Sequence, residues 1–334
     1  MEKKKITDRD YLFISSVLKA KEKNMLRREQ LERMVSSGSF AEMTEILTEI
    51  GWDDMAGMDA AAVCASLAER QKKIYEEIDR YAPEKEIAEI FRLRYDYHNA
   101  KVLIKGEHTA EDTSRLLSSA GRIAPERLSE AFRTDNYRAV PGQLGSAMGE
   151  AKSVLARTGN PQTADFVLDK AYFADMTAAA ERVDNAFVRG YVRLLIDSAN
   201  LRAAVRCARM KKDELFLREA LAEGGNIPAE RVAKSFSSGD GMAELFASTP
   251  LVKAAELGDA AATGGRLTEF ERECDNAVNR YITAARSCGF GPEIVLAYLA
   301  AEENTTTAVR MVLTGRLAGV SREHMKERLR ESYV

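Results

Sequence analysis

A chain of 334 residues is longer than a single hydrophobic core usually supports, so two or three packed units are expected. Its 49 Lys and Arg nearly cancel its 52 Asp and Glu, leaving a formal net charge of -3 and none of the excess basicity of a dedicated nucleic-acid binder. Ala, Leu, Glu, Arg and Lys dominate, Pro is scarce and Val and Ile runs are short, which excludes a sheet-rich chain and predicts an all-α fold.

The chain opens with an excess of cations: Lys3, Lys4, Lys5, Arg9, Lys19, Lys21, Lys23, Arg27 and Arg28. Such a run would suit anionic lipid headgroups, but it usually means a solvated helix face, and that is the reading adopted. Glu2 to Asp10 is too charged for a signal peptide, and a first helix is expected over Tyr11 to Lys21. Ser39 before Phe40 reads as an N-cap with Glu42 as its capping-box partner. Helix breakers gather at Gly106 to Thr113, Gly121 to Pro125, Pro141-Gly142, Gly159-Asn160-Pro161, Gly224 to Pro228, Gly239 to Gly241 and Gly264-Gly265. Between them, Phe187, Tyr191, Leu194, Leu195 and Ser198 fall at helical spacing and predict an apolar stripe. Gly291-Pro292-Glu293 reads as a helix start, Pro taking the first helical position. The apolar run that follows, Ile294 to Ala301, falls far short of the roughly 20 residues needed to cross a bilayer. The expected location is therefore cytoplasmic or peripheral to a membrane.

Two stretches repeat one pattern. Asp96-Tyr97-His98-Asn99-Ala100-Lys101 and Asp197-Ser198-Ala199-Asn200-Leu201-Arg202 both spell Asp-x-x-Asn-x-(Lys/Arg), and a degraded third copy at Thr305 to Arg310 keeps only the cation. A second element recurs upstream of each: Glu29-Gln30-Leu31, Glu126-Arg127-Leu128 and Glu230-Arg231-Val232. A short helical hairpin followed by long helices thus runs over Arg28 to Gly106, Glu126 to Lys211 and Glu230 to Gly315. The period is too long for a solenoid, so tandem units are expected. Their bounds are 1–110 with the N-terminal helix, 111–215, and 216–334 with the C-terminal helix.

Asp and Asn three residues apart share one helix face, and an acid in an apolar helix must be paired or accept hydrogen bonds. Polar lining for a partner and a latch between helices both fit; a repeated packing role is the simpler reading, so Asp96, Asn99, Lys101, Asp197, Asn200, Arg202 and Arg310 are taken as a structural motif. Catalytic, metal and cofactor sites find no support. His98, His108 and His324 are scattered, and Cys64, Cys207, Cys274 and Cys288 form no Cys-x-x-Cys pair, reading as buried apolar residues in a reducing compartment. There is no phosphate loop and no Gly-x-Ser-x-Gly elbow.

Taken together, Arg94 to Lys101, Ile196 to Arg202, Phe290-Gly291-Pro292-Glu293 leading to Ala297-Tyr298-Leu299, and Arg328-Leu329 leading to Tyr333-Val334 resemble the C subunits of the archaeal-type (A-type) and bacterial V-type rotary ATPases, the counterparts of the d subunit in the eukaryotic vacuolar enzyme. Thr305, Thr306 and Ala308 depart from the Glu-Ile-x-Asn-x-Arg usual in the last copy, and Ser16 stands where an Arg is expected. The resemblance implies an all-α, funnel-shaped chain of three similar helical domains in a pseudo-threefold arrangement, with no active site and no cofactor. It implies a peripheral protein on the cytoplasmic side of the plasma membrane, one copy per complex. Its partners would be the central-stalk subunits (D and F type) and the membrane proteolipid ring, with no nucleic acid or small-molecule substrate. It would transmit torque for ATP-coupled proton or sodium transport. The competing readings are a helical enzyme, which would need convergent polar groups in one pocket, and a free-standing scaffold binding peptides or helices.

Overall fold

A computed structural model describes residues 6–334, so Met1 to Lys5, with the three lysines of the basic opening, lie outside the described residues. Among the described residues all regular structure is helical, with no strand. By its contacts the chain divides into two bodies, one from the described part of Met1–Ala88 together with Arg272–Val334 (the split body), the other from Glu89–Glu271 (the middle body).

The split body begins with α1 (Leu12–Lys21), α2 (Arg28–Ser36), α3 (Phe40–Thr48) and α4 (Ala60–Tyr81). Ser39 caps α3 by accepting from the Glu42 N–H at 3.2 Å, while Glu42 accepts from Gly38 N at 2.8 Å, one residue earlier than a capping box would place it. The middle body follows with α5 (Glu86–Thr109), α6 (Pro125–Arg133), α7 (Leu144–Thr158), α8 (Pro161–Arg182), α9 (Ala186–Arg209), α10 (Glu214–Ala220), α11 (Ala229–Ser238), α12 (Met242–Leu245) and α13 (Val252–Ala262). Then come α14 (Leu267–Thr283), which carries the chain back, α15 (Pro292–Leu317) and α16 (Arg322–Glu327).

Punctuation residues fall where the physics of helix ends needs them. Gly159 ends α7 at φ 64°, a left-handed conformation; Asn160 then accepts from Gln162 N at 3.0 Å and Pro161 opens α8. Gly291, at φ 142°, precedes Pro292 at the start of α15. The order of elements repeats along the chain: shorter helices, then two long ones. The long pairs are 22 and 24, 22 and 24, and 17 and 26 residues, α5, α9 and α15 being the second of each.

In the split body α15 packs along α4. Its apolar start is buried throughout, and one core cluster joins Leu26, Leu31 and Met34 to Val309, Val312 and Leu313. Polar bonds stitch the same two helices. Arg70 meets Glu302 at 2.7 Å while its guanidinium lies 3.9 Å over the Trp52 ring, Tyr75 donates to Glu303, and Thr306 donates to Gln71 at 3.2 Å. In the middle body α9 packs against α8, α10, α11 and α13. The expected stripe is only part of its buried surface. Of the expected stripe, Tyr191, Leu194 and Ser198 are buried and Phe187 and Leu195 only half-buried, while Val188, Val192, Ile196 and Leu201 are buried as well, because helices pack on more than one side of α9.

Candidate functional site

The repeated Asp-x-x-Asn pattern becomes two copies of one structure within the middle body. On α5, Asp96 and Asn99 are both fully buried. Asn99 reads the backbone of Ser118, donating to its carbonyl at 2.9 Å and accepting from its N–H at 2.8 Å. Five residues on, Asp96 accepts from Ile123 N at 3.1 Å and from Arg122 Nε at 2.7 Å. On α9, Asn200 brackets Ala222 in the same way, at 2.8 Å both ways. Asp197 accepts from Ile227 N at 3.0 Å, Asn226 N at 3.1 Å and Asn226 Nδ2 at 2.8 Å. Each long helix thereby holds the loop that leads into the next short helix.

Glycine makes the approach possible. A Cβ at Gly121 would overlap Asp96 Oδ1, and one at Gly225 would overlap Asp197 Oδ1. Ile123 and Ile227 each precede the Glu-Arg pair of the second recurring element by three residues, so the two motifs noted separately in the sequence are halves of one latch.

Burial pushes both carboxyls above their ordinary range. For Asp96 the Arg122 side chain and the Ile123 and Arg122 backbone oppose that rise; for Asp197 the opposing donors are Ile227 and Asn226. Arg122 reaches further, to Glu89 at 2.5 Å, and Glu89 also receives Arg182. The Asp197 latch has no arginine: Asn226 stands in its place and supplies two neutral donors.

The cations of the motif lie elsewhere. Lys101 pairs with Asp169 of α8 at 2.7 Å, and Arg202 donates to the Glu271 carbonyl at 3.1 Å. Arg310 on α15 has an Nε with no hydrogen-bond partner among the described residues. At the third copy Leu26 takes the register of Ile123 and Ile227, and it meets α15 through the apolar cluster with Val309, Val312 and Leu313.

Two further carboxylates do similar work without the repeated spelling. Asp175 of α8 accepts from Gln143 N at 2.9 Å and from the Tyr97 hydroxyl at 2.9 Å, beside Gly142 at φ 70°. Asp259 of α13 accepts from Met242 N at 2.8 Å and Ala243 N at 3.0 Å, beside Gly241. In both, a loop glycine one or two residues before a helix was the available signal.

No group of three or more His, Cys, Asp or Glu among the described residues could hold a metal ion. His98 Nε2 lies 3.1 Å from the Leu116 carbonyl, and His324 Nδ1 lies 2.9 Å from Ser321 Oγ. All four cysteines are free, and burial raises the Cys207 and Cys288 thiols, away from a reactive thiolate. An open groove of about 550 Å³ beside α7 and α8 is lined by neither His nor Cys. No helix is long and apolar enough to cross a membrane among the described residues. Most of the convergent polar groups are bonded to backbone, which is the chemistry of holding a fold together.

Comparison with known proteins finds likeness over nearly the whole length. The family model of the ATP synthase (C/AC39) subunit matches residues 14–328. The C subunit of the V-type sodium ATPase of Enterococcus hirae is 24% identical over 328 residues, covering 97% of this chain and 99% of its own. The C subunit of the V-type ATP synthase of Thermus thermophilus is 23% identical over 333 residues, covering 95% and 98%. The C subunit of the A-type ATP synthase of Halorubrum lacusprofundi is 23% identical over 266 residues, covering 71% of each.

Proposed function

This chain belongs to the ATP synthase (C/AC39) subunit family, a non-catalytic part of the V-type rotary ATPase complex, and from that membership we propose that it is the rotor socket between central stalk and membrane ring. In this reading the stalk subunits (D and F type) seat in it and the proteolipid ring lies beneath it, on the cytoplasmic side, one copy to a complex. ATP hydrolysis elsewhere turns stalk, socket and ring together and drives proton or sodium transport.

A part that carries torque must be stiff, and stiffness requires that loops move with the helices they join. The observation that carries the reading is the pair of latches, in which a buried carboxylate and amide hold each loop backbone to a long helix. We assign Asp96, Asn99, Asp197 and Asn200 to that role, with Lys101 and Arg202 as ties between neighbouring elements. The recurrence of short helices followed by a long pair supports three similar domains, the third, with Arg310, holding its hairpin by apolar contact.

Affinity capture of the tagged protein from gently solubilised host membranes tests this. Stalk and ring proteins should come along in mass spectrometry. If folded bait returns none of them while a tagged stalk protein recovers the rest of the complex, the chain is instead a free-standing scaffold.

A further inference from the structure

The groove of about 550 Å³ beside α7 and α8 takes no part in the latches, and all of its lining belongs to the middle body. α7 and α8 form a hairpin turning at Gly159-Asn160, and each offers the groove one stripe at helical spacing. On α7 the stripe is Ala147, Glu150, Val154 and Arg157; on α8 it is Phe166, Lys170, Ala171 and Ala174. Alanine at three of these places keeps the floor low, and Val154, Phe166 and Ala171 are left half-buried, a face with room for one more helix.

α10 forms the outer wall. Phe216 packs edge-on against Phe166, ring centroids 5.4 Å apart, and Glu219 lines the groove. Leu215, one turn before Glu219 on the same face, is 74% exposed, more than any other large apolar side chain among the described residues. The rim charges await partners. Among the described residues the side chains of Glu150, Arg157 and Glu219 make no hydrogen bond or ion pair. Glu150 and Arg157 lie two turns, about 10 Å, apart along α7.

These walls decide what fits. The helices use their backbone groups in their own ladders, so an extended strand laid here would find no backbone partner, whereas a helix brings its backbone already bonded. Both signs of charge share the rim, which excludes a nucleic acid and an anionic lipid surface.

We propose that this groove is a docking site for one amphipathic helix of another protein, about three turns long, with an aliphatic stripe over the alanine floor. On its edge beside α7 the helix carries an acid facing Arg157 and, two turns away, a base facing Glu150. The docking site stands whether or not the chain is a rotor socket.

Fluorescence anisotropy on the full chain tests it, with a labelled peptide of about 15 residues stapled as a helix, since so short a helix is marginal alone. The peptide bears a leucine stripe with Glu and Lys two turns apart on one edge. Saturable binding is expected, about tenfold weaker when Lys replaces the peptide's Glu, because that Lys would face Arg157. Arg157→Glu should reverse the preference, whereas Arg127→Glu, the same charge change on α6 outside the groove, should leave it unchanged. Ala174→Trp, which fills an exposed part of the groove, should weaken both peptides about tenfold. All three altered residues are exposed, so the variants keep the fold, checked by far-ultraviolet circular dichroism. No saturable binding to the folded chain, equal affinity for the two peptides, or a reversal by Arg127→Glu as large as that by Arg157→Glu would overturn the proposal.

Discussion

Helices α9 and α15 are each the second of a long pair, yet they hold neighbouring chain by opposite chemistry. On α9 a buried Asp and Asn take the backbone of 222–227. On α15, where Thr305 and Ala308 replace them, Val309, Val312 and Leu313 pack against Leu26 and Leu31. Replacing a whole buried polar set by well-packed apolar groups is often neutral, whereas removing one member leaves the rest desolvated and unpaired. The polar latch is therefore specific and brittle, and the apolar grip is tolerant position by position.

Substitutions sharpen the contrast. Gly225→Ala should have the largest effect, about 4 kcal/mol in urea unfolding, because its Cβ would drive Asp197 off three donors at once. Leu313→Ala should cost about 3 kcal/mol through the cavity it leaves in the α15 cluster. Asn200→Leu should cost about 2 kcal/mol, since both backbone groups of Ala222 lose their partner, while Thr305→Ala at the third copy should stay within about 0.5 kcal/mol. Equal costs for Asn200→Leu and Thr305→Ala would break the comparison.

The smallest effect is in pH. Burial raises the Asp197 carboxyl above its ordinary 3.8, so in that window the folded chain holds a proton that the unfolded chain has lost. Stability from this group is fully present below 3.8 and declines as pH rises towards the raised value. Asp197→Asn should remove that slope. Within the window that opens near pH 4, the urea midpoint of the unaltered protein should fall relative to that of Asp197→Asn as pH rises.

Much of this is legible in the sequence alone. Helix punctuation at Ser39, Gly159 to Pro161 and Pro292 is local chemistry and reads directly. Asp96, Asn99, Asp197 and Asn200 stand out because the pattern repeats. Their partners do not, since Ser118, Ile123, Ala222 and Ile227 contribute only backbone groups, which no side-chain pattern records. Asp175 and Asp259 escape notice because each holds a glycine turn under a different spelling. The stripe on α9 understates burial, because periodicity marks one apolar face and α9 is enclosed on several. Arg310 shares a register with Lys101 and Arg202 without sharing their kind of partner.

The central claim is that the buried carboxylates hold the fold and do not meet a partner. Asp197→Ala tests it in one preparation, by thermal unfolding and by capture of stalk and ring proteins per folded bait. The account predicts a clearly lowered unfolding temperature, corresponding to about 3 kcal/mol, with recovery per folded molecule unchanged. An unchanged unfolding temperature with recovery lost would contradict it.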